Sequence, residues 1–307
     1  MLIDIKSSRG YANPDYAQSL AEFGEPVHLP RSGGNLLKRR IPGTSCFDAM
    51  GCYPMFFCED WAGLNEDLGK LPGDIVSVSI VADPFGAYSR QLLEECFDIV
   101  NPFKSHYVVD LERGAGEIGT EHHRKAARRA LRKVRVEVCK DPAGFVDGWF
   151  RLYGNLVQRY GIHGIRAFSR TAFSRQLSMA EIIVHQAFLG DEIVGAQLFF
   201  VQDGVAHCHL GAVSEAGYKA GAFYALDFFS FEYFVESARK LDLGGGVGLS
   251  SSSGDGLSHY KSGWASETRP VYFCGRIINP DRYAALAPLQ GKDKIEYFPA
   301  YRIGEFG

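Results

Sequence analysis

Apolar and polar residues follow two periods along this chain, and the changes of period mark its elements. Asp74-Ile75-Val76-Ser77-Val78-Ser79-Ile80-Val81 alternates with period two, as a strand does. Ala87 to Val100 places Leu92, Leu93, Cys96, Phe97 and Val100 at helical spacing, and Tyr107 to Leu111 returns to a strand. This strand–helix–strand run predicts an α/β layer. Ala127, Ala130, Leu131 and Val134 share one helical face, after which Val134 to Val138 alternates again. Phe145 to Tyr160 is a second amphipathic helix, with Phe145, Val146, Trp149, Phe150, Tyr153, Leu156, Val157 and Tyr160 on its apolar face and Gly161 placed as its C-terminal cap.

The clearest pattern follows. Ile182 to Leu189, Ile193 to Gln202 and Val205 to Val213 are three strands, separated by the turns Gly190-Asp191 and Asp203-Gly204. Gly217 to Gly221 is a glycine-bounded loop, Ala222 to Lys240 a long aromatic helix, and Leu241 to Leu243 a short strand ending in Gly244-Gly245-Gly246. The order is β-β-β-α-β, with the last strand expected parallel to the third across a right-handed crossover. Ser250 to Gly256 reads as a flexible loop and Thr268 to Ile278 as a closing strand, while residues 1–70 are broken by Gly and Pro into short strands and loops. The fold class expected is mixed α/β, of the α+β kind.

Composition narrows the function. The chain has 307 residues and a formal charge of −3, too apolar and too neutral for a disordered chain and too acidic for a nucleic-acid coat. The charge is uneven, however. From Glu121 to Lys140 eight Lys/Arg stand against two Glu, a local +6. This stripe is either the solvated face of a docked helix or a phosphate-facing edge of a cleft. No DNA partner is expected. Seven cysteines, an odd number without a CxxC, are expected to be reduced thiols of a cytoplasmic protein. No signal peptide is read at Met1 to Lys6. The apolar stretch Phe223 to Val235 carries Asp227 and Glu232 and is too short to span a bilayer. Glycine, 35 residues and above the ~7% average, forms local clusters near 217–221 and 244–256.

Glu192-Ile193-Val194-Gly195-Ala196, after a Gly-Asp turn and followed by two strands and a helix, resembles the core of the GNAT acyltransferase superfamily. Leu241-Asp242-Leu243-Gly244-Gly245-Gly246 and Gly256-Leu257-Ser258-His259-Tyr260-Lys261-Ser262-Gly263-Trp264 resemble its FemAB-like branch. The resemblance covers roughly Ser105 to Tyr272. It implies two GNAT-like domains, each a mixed, mostly antiparallel sheet flanked by helices: a degenerate one over residues 1–120, an acyltransferase domain over 121–275, and a tail, 276–307, packing back on the first. It implies transfer of an acyl or aminoacyl group to an amine, such as a cell-wall (peptidoglycan) or nucleotide-linked sugar precursor. The donor stays open between acyl-CoA and aminoacyl-tRNA. The helical arm of the tRNA-using members is missing, and the glycines of the CoA signature stand four apart. An acetyl-CoA-dependent transferase on a small amine and a catalytically silent double-GNAT protein are the alternatives.

Acyl transfer needs a donor slot, a deprotonated amine and an oxyanion partner. Gly217, Tyr218, Lys219 and Gly221, ahead of a helix, are the expected donor-phosphate contacts. Lys261 is the expected charge partner of the carbonyl or of a phosphate, and Tyr260 the proton donor to the leaving group. Asp242 points opposite to Leu241 and Leu243, as a base, an orienting group or a cap of the glycine turn. His209 is a second base candidate. His207 and His209 share a strand face, but His185 lies two strands away and no metal is expected. Arg124, Arg128 and Arg132, four residues apart on one stripe, suit the phosphates of the acceptor. Oligomeric state is left open.

Overall fold

The computed structural model describes residues 9–246, 256–287 and 297–305. In chain order its elements are α1 (Pro14–Ser19), β1 (Glu25–His28), β2 (Asn35–Arg40), β3 (Phe47–Gly51), α2 (Leu64–Gly69), β4 (Ile75–Val81), α3 (Arg90–Cys96), β5 (Ile99–Asp110), α4 (Glu121–Leu131), β6 (Arg135–Val138), α5 (Val146–Tyr160), α6 (Arg170–Leu177), β7 (Ile183–Leu189), β8 (Glu192–Gln202), β9 (Val205–Val213), α7 (Glu215–Ala220), α8 (Ala222–Phe234), β10 (Lys240–Asp242), α9 (Gly256–Ser262), β11 (Glu267–Ile277) and α10 (Pro280–Leu286). The fold is mixed α/β. Two compact units divide it: Met1–Gly10 with Lys104–Ile162 and Ala167–Pro270, and Tyr11–Phe103 with His163–Arg166 and Val271–Gly307.

In the unit built around 104–270, strands run β5-β10-β9-β8-β7-β6. β6 to β9 form an antiparallel meander, while β10 lies parallel to β9 and antiparallel to β5. The parallel pairing is the one the β-β-β-α-β order predicts. The two-residue turn between β8 and β9 puts both Asp203 (φ 52) and Gly204 (φ 77) in the left-handed region, the geometry that matches strand twist. β8 is buried along nearly its whole length because helices cover both sheet faces. On one face, Phe199, Val201 and Leu241 pack with Phe231 and Phe234 of α8 and with Trp264. On the other, α5 and α6 supply Trp149, Tyr153 and Phe173, which meet in edge-on ring contacts. Each such buried ring contributes about 1.5–3 kcal/mol.

In the other unit the order is β1-β2-β3-β4-β11, antiparallel except for β3 beside β4. Its core joins Leu36, Phe56, Trp61, Ile75, Val78, Leu93 and Cys274. Residues 297–305 are held here. Arg302 binds the Asp48 carboxylate at 2.8 and 3.0 Å, Arg39 binds the same carboxylate at 3.2 and 3.3 Å, and Glu305 accepts from Arg39 at 2.8 Å.

Four expectations change. The helix expected over 87–100 ends at Cys96, because Ile99 and Val100 already belong to β5. The helix expected to reach Lys240 ends at Phe234. Leu131 and Phe150 are 38% and 39% exposed, so the buried faces of α4 and α5 are narrower than the sequence pattern suggested. The 217–221 loop is instead the short helix α7, capped by Ser214. The loop expected over 250–255 lies outside the described residues.

Candidate active site

A buried polar network crosses from β8 to α8 to α9. Asp227, in the middle of α8, faces the sheet and is 3% exposed. The Gln197 amide of β8 donates to Asp227 Oδ1 at 2.6 Å, and the Tyr260 hydroxyl of α9 donates to Oδ2 at 2.5 Å. The Gln197 amide oxygen lies 3.3 Å from Ser230 Oγ, which donates to the Leu226 carbonyl at 2.8 Å. Burial pushes the Asp227 carboxyl up to about 6, against the hydrogen bonds from Tyr260 and Gln197 and the charge of Lys261, which all favour the carboxylate. The same burial, with the Asp227 charge beside it, holds the Tyr260 hydroxyl well above the usual phenol range. A carboxyl near 6 is poised to exchange a proton close to neutral pH.

Lys261 follows Tyr260 on α9. Its ammonium donates to the Gly245 carbonyl at 2.7 Å, and Lys104 donates to the next carbonyl, Gly246, at 3.2 Å. Two cationic heads therefore sit at the glycine turn after β10. Cys208 of β9 stands on the Asp227 side of the sheet, its thiol pushed up to about 12, by burial first and then by the Asp227 charge.

His123 mounts α9. Thr120 Oγ1 caps α4 by accepting from the His123 backbone N–H at 3.3 Å and lies 3.0 Å from His123 Nδ1. The Tyr260 carbonyl only accepts, so His123 Nε2–H donates to it at 3.0 Å and, in the neutral ring, Nδ1 accepts from the Thr120 hydroxyl. Burial lowers the His123 pKa, consistent with this neutral form. The ring is also edge-on to Trp264 and Tyr224. Gly263 lies against it so closely that any Cβ there would enter the imidazole.

The structure brings together Tyr260 and Lys261 but not Asp242 and His209. Asp242 lies on the opposite face of the sheet, bound to His106 and His207. His209 is on that face too. It is the extra residue of a bulge, since Phe199 pairs with Cys208 and Leu198 with Leu210. Its Nε2 faces Gln176 Oε1 at 3.3 Å, Phe168 and Phe200 flank the ring, and burial pushes its pKa down to about 3. His185 is buried under α8 with Nδ1 on Ser230 Oγ at 2.8 Å. Among the described residues no group of three His, Cys, Asp or Glu is arranged to hold a metal ion.

The Gly217 N–H is engaged within α7, donating to Ser214 Oγ at 3.1 Å, and the glycine packs on the Val194 carbonyl. Lys219 pairs with Glu215 at 2.6 Å, Tyr218 is 60% exposed under the Arg159 guanidinium, and Gly221 (φ 79) turns α7 into α8. The arginines divide. Arg124 donates to the Gly119 carbonyl, whereas Arg128 and Arg132 are exposed. Asp227, Gln197 and His123 are the functional candidates that reading the sequence missed. One signal existed: Asp227 is one of two acids, with Glu232, inside an apolar, aromatic stretch.

Residues 120–262 match the family model described as Acetyltransferase (GNAT) domain. A search of curated proteins by sequence finds no match. Among solved structures, FemX is similar at a TM-score of 0.67 and 13% identity, over 92% of this chain and 96% of that one. L-PGS from Bacillus licheniformis is similar at 0.55 and 14% identity, over 89% and 94%. A conserved protein of unknown function from Bacteroides thetaiotaomicron VPI-5482 is similar at 0.60 and 13% identity, over 89% and 94%. At these identities the likeness is one of fold. It agrees with the FemAB-like resemblance read from the 241–264 motifs.

Proposed function

We propose that this chain, a GNAT-domain protein of FemAB-like fold, is an acyltransferase that moves an acyl or aminoacyl group from an activated donor to an amine. One observation carries the reading: within the GNAT domain a buried carboxyl near 6, Asp227, binds the hydroxyl of Tyr260 and feels the charge of Lys261. The acceptor nitrogen attacks the donor carbonyl and forms the new C–N bond. The nitrogen gives its proton to the Tyr260 oxygen as the tyrosine's own proton passes to Asp227. Lys261 stabilises the oxyanion, and as the C–S or C–O bond to the donor breaks it gives a proton to the leaving group. Solvent takes the proton from Asp227 and restores that of Lys261, so amide and neutral leaving group are the products.

The acceptor in this reading is a small or sugar-linked amine, a cell-wall or nucleotide-linked precursor made in the cytoplasm, with Arg128 and Arg132 at its phosphates. Residues 121–275 act as the transferase half and 1–120 as its degenerate partner. Among the described residues no helix is long and apolar enough to cross a membrane. The donor stays open between an aminoacyl-tRNA, which the FemAB-like resemblance implies, and an acyl-CoA, which the matched family's description favours.

The test is amide formation followed by mass spectrometry, with acetyl-CoA and aminoacyl-tRNA offered in turn to a UDP-linked sugar peptide and to small polyamines. Product with one donor, lost in Asp227→Asn and Lys261→Ala, supports the reading and identifies the donor. Ligand-induced thermal stabilisation without product from any pair would make the chain a silent binding protein.

A further inference from the structure

Asp242 is 2% exposed and sits across the sheet from the Asp227–Tyr260 pair. Burying a carboxylate costs several kcal/mol unless donors surround it. Three do. His106 Nδ1 lies 2.9 Å from Oδ2, His207 Nδ1 lies 3.3 Å from the same oxygen, and the Gly244 N–H donates to Oδ1 at 2.8 Å. Burial by itself would raise the carboxyl, but the adjacent His106 and the bonds from both histidines hold it well below the usual carboxylate range. An ionised carboxylate only accepts, so both histidines present Nδ1–H to it.

The third donor leads to Lys261. Gly244 (φ 75) takes the left-handed conformation that turns the chain after β10, and its carbonyl accepts from Tyr107 at 3.1 Å. The next carbonyl, Gly245, is the one that accepts from Lys261 Nζ. Asp242 thus holds the first peptide of a turn whose second carbonyl holds the ammonium. We propose that Asp242 is a positioning residue: clamped by His106 and His207, it sets the Gly244–Gly246 turn and through it the place of the Lys261 ammonium. This rests on the reading of Lys261 as the oxyanion partner. It also accounts for a buried ionic cluster on a sheet face that carries no part of the proton path.

The test begins without substrate. Reductive methylation with formaldehyde and cyanoborohydride, followed by peptide mass spectrometry, reads the accessibility of Lys261 against exposed Lys70. Asp242→Asn is expected to label Lys261 about fivefold faster at an unchanged Lys70 rate, the factor expected for losing one hydrogen bond. An unchanged Lys261 rate in a variant that keeps its circular dichroism overturns the proposal. If Asp242→Asn does not fold, His106→Ala carries the same two outcomes. In the transfer assay, Asp242→Asn is expected to lower kcat about tenfold with KM within about twofold, and to add nothing in a Lys261→Ala background. Equal losses in both backgrounds overturn the proposal. Full activity of Lys261→Ala alone overturns the reading of Lys261 instead, and leaves the labelling result to decide whether Asp242 places the lysine.

Discussion

The Tyr260 hydroxyl donates to the Asp227 carboxylate at 2.5 Å across 33 positions of sequence, joining α9 to α8 at a buried acid whose proton exchanges near neutrality. Burial raises that carboxyl to about 6, while the Tyr260 bond lowers it. Tyr260→Phe removes the lowering contribution. A hydrogen bond to a charged group is worth about 1.5–3 kcal/mol, and about 1.4 kcal/mol corresponds to one pKa unit. The rising limb of kcat/KM against pH is expected near 6 in the wild type and one to two pH units higher in Tyr260→Phe, with a lower plateau. A limb that does not move would show that Asp227 is not the titrating base.

The same carboxyl shapes stability. Its folded pKa lies above the ordinary carboxylate value of ~4, so the native state holds a proton that the unfolded chain releases. Its stabilising contribution is therefore complete below pH ~4 and is lost as pH rises through about 6. Asp227→Asn keeps the amide-compatible shape and removes the titration. Urea unfolding at pH 4, 5, 6 and 7 is expected to show the variant gaining on the wild type across that window. A constant difference would mean that Asp227 is ionised throughout.

Gly263 tests how α9 is mounted. A Cβ at this position enters the His123 ring, and His123 is itself held by Thr120 and the Tyr260 carbonyl. Gly263→Ala must displace the ring or the helix, and overpacking of this kind costs about 1–3 kcal/mol. Transfer activity is expected to fall with it, because Tyr260 and Lys261 ride on α9. In a His123→Ala background the added methyl has room, so Gly263→Ala is expected to cost under about 1 kcal/mol there. Chemical denaturation of the four proteins of the cycle provides the check.

Local pattern carried the meander and not the network. Gly190, Asp203 and Gly204 punctuate β7 to β9, and all three take positive φ where the turns were expected, because turn chemistry is a property of adjacent residues. That Asp242 points to the face opposite Leu241 and Leu243 was legible from alternation. Its partners were not, since β10 inserts between β9 and β5, and His106 comes from 136 positions away. Ile99 and Val100 fit the apolar spacing of a helix and of a strand equally, so the end of α3 was decided by pairing rather than by sequence. Asp227 stood out only as a charge within an apolar stretch. What makes it a candidate base is enclosure by Gln197 and Tyr260, which no local spacing encodes.

Arg39 and Arg302 bind the buried Asp48 carboxylate from two sides, and all three side chains are 10% exposed or less. Asp48→Ala leaves two guanidinium groups facing one another with Glu305 as their shared acid. Removing one partner from a buried ionic cluster costs about 3–5 kcal/mol. Loss of that order is expected in urea unfolding, with faster amide exchange over residues 297–305, which Arg302 anchors. Exchange unchanged in that segment would mean that the ring contacts of Phe298 with Tyr283 and Phe273 hold it instead.

The basic stripe on α4 divides into a structural and an electrostatic part, and charge reversal separates them. Arg124 donates to the carbonyl of Gly119, the glycine that packs on Trp264, so Arg124→Ala is expected to lower the melting temperature. Arg128 and Arg132 are exposed, so the Arg128→Glu/Arg132→Glu double variant is expected to leave stability within about 0.5 kcal/mol. Its effect belongs to binding of the acceptor. With a UDP-linked sugar peptide as acceptor, KM is expected to rise at least about tenfold at low salt, as for the loss of a hydrogen bond between charged groups, and less at high salt, where such exposed charges are screened. KM for the donor is expected to change by no more than about threefold. An unchanged KM for the UDP-linked acceptor would return these arginines to a solvated helix face.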